Sequence, residues 1–265
     1  MSYLNKRIGV ECNIILQYKF DFLVGIISDL LPICVYQFIW SNLYSYENFS
    51  SVEYDIENIK LYSLLALVVT SIYGNSVIET LGNKITRGDI VFDLVKPISI
   101  VKEYLYNDIS RIIGKFITQY IPVCSITMLI FSISFNHLKL IKVIQSLFLL
   151  CLGYCIMFQL CFFVSMFSAW FVSIYNCRFI ITQIIKVCSG AVIPLWMWPT
   201  IIHNMILKTP FPYIISAPIS LLLDISYETS FINIIKTQLI WIIVLFVGNL
   251  VIYKKFRKRL NIQGG

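Results

Sequence analysis

Gly82-Asn83-Lys84-Ile85-Thr86-Arg87-Gly88-Asp89-Ile90-Val91-Phe92-Asp93-Leu94-Val95-Lys96-Pro97-Ile98-Ser99-Ile100-Val101-Lys102 is the longest charge-dense stretch between two strongly apolar blocks of the chain. Four basic and two acidic residues are interleaved there with Ile90, Val91, Phe92, Leu94 and Val95. A solvated loop has no use for that mixture. A short amphipathic helix at a membrane surface, or under a partner protein, does. The plainer reading is a linker whose lysines hold membrane orientation.

The flanking blocks set the class. Of 265 residues 58% are apolar and 13% charged, more apolar surface than a soluble domain of this length can bury, so an all-α, multi-pass membrane protein is expected. Before the stretch, Phe22–Trp40 and Leu61–Leu81 read as the first two crossings; nineteen residues at about 1.5 Å each cover a hydrocarbon core of ~30 Å. In the first, Gly25, Asp29, Pro32 and Tyr36 share one face, turned towards protein or water. Residues 1–20 mix Lys6, Arg7, Glu11 and Lys19 with Ile8, Ile14 and Ile15, and read as an interfacial helix. Asn42–Lys60 is an acidic loop.

After the stretch, Ile112–Phe135, with a kink at Pro122, Val143–Trp170, Phe179–Trp198 and Phe231–Tyr253 complete six crossings. Between the last two, residues 199–230 hold Pro199, Pro210, Pro212 and Pro218, and the apolar run Phe211–Leu223 is too short to cross. It reads as a re-entrant hairpin on the outer side. The whole chain is one domain. If the termini lie inside, only Lys60, Lys139, Lys142, Lys208 and Lys236 of the 21 lysines and arginines fall outside. Both termini and the 82–104 segment are therefore expected in the cytoplasm, and the net charge of +7 is a topology signal that requires no nucleic acid.

Catalytic chemistry is not legible. There is no phosphate-loop pattern, no His-Glu-x-x-His, no Gly-x-Ser-x-Gly, and the eight cysteines show no metal-ligand spacing, so no catalytic or metal site and no bound cofactor are expected. Asp89, Asp93, Glu103 and Asp108 are the carboxylates a lipid-acting enzyme would have to use, and they are spread along mixed apolar sequence. Charges inside crossings are costly and line pathways or pair with one another. Asp29 in the first crossing, and the stripe Thr182, Gln183, Lys186, Ser189, Gly190 in the fifth, mark a candidate solute pathway at a subunit interface. A structural pair or a snorkelling Lys186 is the competing reading.

Arg87-Gly88-Asp89-Ile90-Val91-Phe92-Asp93-Leu94-Val95-Lys96-Pro97 resembles the charged segment of bacterial type-2 ATP-binding-cassette permeases. Ser189-Gly190, Ile193-Pro194-Leu195, Pro199, Pro210-Phe211 and Pro218 are similar to that family's second signature, and Arg257-Lys258-Arg259 to Gly264-Gly265 to its ending. The resemblance covers nearly the whole chain. It implies a six-helix half-transporter of the bacterial cytoplasmic membrane, exporting a drug, peptide, lipid or similar solute. Two such permeases, identical or sibling, would sit in lipid over separate ATPase subunits that hold the ATP and Mg. The segment around Gly88 would be the coupling helix, with Arg87, Asp89, Asp93 and Lys96 as rim charges, Ile90, Phe92 and Leu94 as apolar anchors and Pro97 as terminator. Pro194, Pro199, Pro210, Phe211 and Pro218 would form the outer gate. The alternatives are an ATPase-independent channel or antimicrobial-peptide immunity protein, or a lipid-acting enzyme.

Overall fold

The computed structural model describes residues 2–43, 56–74, 76–131, 138–170, 175–225 and 230–263. Its helices are Ser2–Gln17 (α1), Lys19–Leu43 (α2), Ile56–Tyr73 (α3), Ser76–Arg87 (α4), Ile90–Leu94 (α5), Ile100–Lys115 (α6), Ile121–Phe131 (α7), Leu140–Met166 (α8), Tyr175–Cys188 (α9), Thr200–Ile206 (α10), Ser216–Leu222 (α11) and Phe231–Gln263 (α12). No strand occurs among the described residues. Five helical stretches are long and apolar enough to cross a membrane: Lys19–Leu43, Ile56–Arg87, Ile100–Phe131, Leu140–Ala169 and Phe231–Lys258.

The expected crossing over 179–198 is not one helix. α9 stops at Cys188, and Gly190 follows with φ +78°, a left-handed turn open to a residue without a Cβ. Beyond it Pro194 and Pro199 precede a single 3-10 turn and α10. Proline lacks the donor and disfavours a helical residue before it, so the apolar run 191–199 cannot continue α9. Two other boundaries also move. The second crossing is interrupted at Gly74 (φ +52°), and Gly82–Arg87 belong to α4, the far end of that crossing. The third begins at Ile100 instead of Ile112. The irregularity expected at Pro122 is a π-helical turn, Phe116–Tyr120, just before it, where the missing N–H of proline lets the ladder slip by one residue.

The acidic outer loop falls largely on residues 44–55, and His137 and Gly264-Gly265 lie with them outside the described residues. α1 packs against α6 and α2.

The core forms where apolar faces meet around α3, α4 and α8. Tyr62, Ile78, Leu81, Ile156, Met166, Ile214 and Ile219 are buried in one cluster with Ile90 and Phe256. Gly153 of α8 lets the hairpin approach: a Cβ there would stand 2.7 Å from the Ile214 carbonyl oxygen. Ser146 Oγ donates to the Pro218 carbonyl at 2.9 Å, and Gln238 Nε2 to the carbonyls of Leu149 (3.0 Å) and Tyr213 (2.8 Å). By contrast, α2 and α12 turn Leu23, Ile27, Leu31, Ile243 and Val247 outward, as lipid-facing helices do.

Candidate functional site

Gly88 (φ +83°) reverses the chain after α4, and α5, only five residues long, is over at Leu94. A helix of one turn cannot hold itself by its own hydrogen bonds, so its position has to come from side chains. Asp93 supplies it. The Asp93 side chain is 3% exposed; it accepts from Lys84 Nζ, Lys96 Nζ and the Tyr104 hydroxyl, each at 2.8 Å. Lys96 Nζ also reaches Glu103 Oε1 at 3.4 Å, and Arg7 Nη2 meets that oxygen at 2.7 Å. The network joins α1, α4, α5 and α6. Burial alone would raise the Asp93 carboxyl, but hydrogen bonds from Lys84, Lys96 and Tyr104 more than offset it and hold it at about 2. The Lys96 ammonium is raised, first by its bond to Asp93.

This divides the expected coupling residues into two sets. Ile90 is fully buried in the chain's own core, which corrects its assignment as an outward anchor. Asp93 is likewise an internal tie instead of a rim charge, and Lys96 bonds inward while its stem stays half exposed. Phe92 (74% exposed) and Val95 (81%) face outward, together with Val91 and Leu94. Arg87, Gly88, Asp89 and Pro97 surround them at the surface. Lys84, Tyr104, Glu103 and Arg7 escaped the sequence because the turn at Gly88 folds Lys84 back onto a residue nine positions later. Asp93 and Glu103, apart in sequence, meet across Lys96.

A second group of polar residues lies within the crossings. Asp29 lies close enough to Ser71, Lys115 and Lys186 to interact electrostatically with each, so residues of α2, α3, α6 and α9 converge. Lys186 lines a small cavity with Thr70, Tyr73 and Thr182. A cavity of about 170 Å³ beside it is lined by Ser71, Glu79, Asp108, Arg111 and Lys115. Asp108 accepts hydrogen bonds from Ser76 and from the Tyr154 hydroxyl, the latter at 2.8 Å. The structure therefore brings Asp29 and Lys186 into one neighbourhood, with Lys115 added. Gln183 is exposed and stands apart from it. Ser189 and Gly190 pack instead: Ser189 Oγ donates to its own Lys186 carbonyl, and the Gly190 carbonyl takes the Tyr62 hydroxyl at 2.9 Å.

Of the expected outer-gate residues, Pro194, Pro210 and Pro218 are buried, Phe211 is half-buried and Pro199 is exposed. A model of the family described as ABC-2 family transporter protein matches residues 30–264, which takes in the second half of α2 and every element after it. The chain belongs to that family. None of the curated proteins compared matches it. As an ABC-2 protein the chain is a multi-pass membrane component of a transporter that works with an ATP-binding-cassette partner. α5 and its exposed apolar face lie between two of its crossings.

Proposed function

We propose that the chain is the permease subunit of an ATP-binding-cassette exporter, moving a drug, peptide, lipid or similar amphipathic solute outward. Separate cytoplasmic ATPase subunits, carrying the ATP and Mg, dock on α5, and a second permease, identical or sibling, completes the pathway in the lipid bilayer of a bacterial cytoplasmic membrane. The observation that carries this is the outward apolar face Val91, Phe92, Leu94 and Val95 on a helix fixed from within by Asp93. An apolar ridge held rigid at low entropy cost is what a partner groove can grip. Arg87 and Asp89 rim it, and Pro97 follows its end.

Motion of the partner then reaches the crossings by two routes. α4 and α6 are tied to α5 through Lys84 and Tyr104, and α1 through Arg7 and Glu103. The partner drives transport to the extent that it holds two arrangements of this elbow with different affinity. The solute pathway runs beside Asp29, Lys115 and Lys186, and the hairpin of α10 and α11, closed by Pro194, Pro199, Pro210, Phe211 and Pro218, gates its outer end.

Phe92→Asp tests the docking. Burying one phenylalanine is worth about 2–3 kcal/mol, so its replacement by a charge should weaken ATPase co-purification at least roughly thirtyfold while the chain still inserts and melts as before. Undiminished co-purification and solute-stimulated ATP hydrolysis in that variant would remove α5 as the docking element.

A further inference from the structure

At the end of the bundle where the α5 elbow and the basic tail lie, a groove of about 200 Å³ opens between α6, α8 and α12. Phe158 and Phe162 are its buried floor, and Phe246 and Leu250 its exposed wall. This slot suits an acyl chain. Its polar features need something more. Gln159 and Asn249 also line it, and Gln159 Oε1 and Asn249 Oδ1 are buried without a hydrogen-bond donor. Asn249 is 9% exposed, and its Nδ2 already donates to the Gln159 carbonyl at 3.1 Å. Turning the amide over would merely exchange an unmet acceptor for an unmet donor. An acceptor left so costs about 1–3 kcal/mol, which a ligand carrying O–H or N–H groups would offset.

α6 starts inside the same groove. Ser99, Ile100 and Val101 line it, and Ser99 makes no side-chain capping bond, so N–H groups of the first turn have no partner in the helix. Such a terminus attracts a phosphate. Lys102 follows Val101, and Lys254 and Lys255 follow Tyr253, another lining residue. All three are exposed, and none has a carboxylate partner among the described residues. The groove thus combines an apolar slot, a phosphate seat, cations and two acceptors awaiting donors.

We propose that it holds one anionic phospholipid with a hydroxyl-bearing headgroup, from the leaflet at the basic end of the bundle. The acyl chain lies on Phe158, Phe162 and Leu250. The phosphate meets the first turn of α6 and Lys102, and headgroup hydroxyls donate to Gln159 and Asn249. A choline headgroup has no O–H or N–H and leaves both acceptors unmet. Because α6 begins directly after the elbow of α5, the lipid braces the joint at which that elbow meets the membrane. The proposal needs a bilayer but no ATPase, so it stands or falls apart from the docking reading.

The test is to reconstitute the full chain in vesicles of equal phosphatidylglycerol and phosphatidylcholine, extract it in mild detergent, and measure retained lipid by native mass spectrometry. Phosphatidylglycerol should stay bound in preference to phosphatidylcholine. Lys102→Gln should lower its retention roughly fivefold. Asn249→Leu should narrow the preference between headgroups, leaving the part that the cations supply. Val101→Glu, a charge at an already exposed position, should expel the lipid while the chain still inserts and keeps its helical content. Equal retention of the two lipids in the parent chain overturns the proposal. So does parent-like retention in both Asn249→Leu and Val101→Glu, or disulfide cross-linking of Val101→Cys between chains that shows a second copy covering the groove.

Discussion

Asp93 is the residue on which the elbow turns, and its environment decides what substitutions there can report. Its carboxyl falls from 3.8 to about 2 in the fold, so it contributes stability that is complete above about pH 4 and lost as the pH drops through 2. The contribution is at most about 2 kcal/mol, trimmed by solvent around lysines whose side chains are 43% exposed. Asp93→Asn is therefore expected to lower the melting temperature at pH 7 by several degrees and to flatten the acid limb of a pH–stability curve; an unaltered limb would place that transition elsewhere. Asp93→Lys is a poor probe of docking, since it would set a third cation against Lys84 and Lys96 and disrupt the elbow itself. Gly190 gives a different contrast. A Cβ there stands 2.9 Å from the Tyr62 hydroxyl and 3.0 Å from Leu195, on a backbone at φ +78°. Tyr62→Phe loses one hydrogen bond, about 1 kcal/mol, and keeps the edge-on contact with Trp196. Gly190→Ala adds strain and a clash, and should cost clearly more in thermal melts of the purified chain.

The helices show why some of this was legible beforehand and some was not. Long apolar runs announce themselves by composition, so four of the six expected crossings match long apolar helices, with ends displaced where polar residues continue a helix out of the apolar zone. The expected second is longer still but breaks at Gly74. Ser76–Arg87 is such a continuation: the expected crossing stopped at Leu81, before the charges at Lys84 and Arg87, yet Val77, Ile78, Leu81 and Ile85 bury one face that runs on past it. The fifth crossing was expected as one helix and is not, for the opposite reason: apolar content alone conceals a Gly-Pro break that ends α9 early. That residues 199–230 hold no long helix was legible from their prolines, but how closely this segment seats on α8 was not. That depends on Gly153, whose lack of a side chain is invisible as a contact until α8 and the hairpin are assembled. Gly153→Val is accordingly expected to push the Ile214 backbone off α8 and destabilise the chain by several kcal/mol, with the nearby exposed Cys151 becoming more reactive to a thiol probe as α8 loosens. Unchanged melting in this variant would mean that the hairpin is not seated against α8.

Across the whole molecule, charge and packing make the same division into two ends. Lys84, Arg87, Lys96, Lys102 and the cations after Tyr253 gather about the elbow, and Phe256 of α12 is fully buried in the cluster that also holds Ile90. The hairpin carries one lysine, Lys208, and no arginine, and stands at the other ends of α8 and α12. Under the proposed function the basic end, and the elbow with it, faces the cytoplasm, as the bias of basic residues towards the inner side expects. Two exposed positions convert this into a measurement. Val95→Cys on the elbow and Ile201→Cys on α10 replace surface side chains and should leave the fold intact. In sealed cells a membrane-impermeant maleimide should label Ile201→Cys and spare Val95→Cys until the membrane is opened, each measured against a chain whose other cysteines are replaced. The reverse pattern would set the elbow outside, beyond the reach of any nucleotide-hydrolysing partner. Labelling of both in intact cells would mean that hairpin and elbow share a side, which no bundle with these crossings and this separation of ends can accommodate.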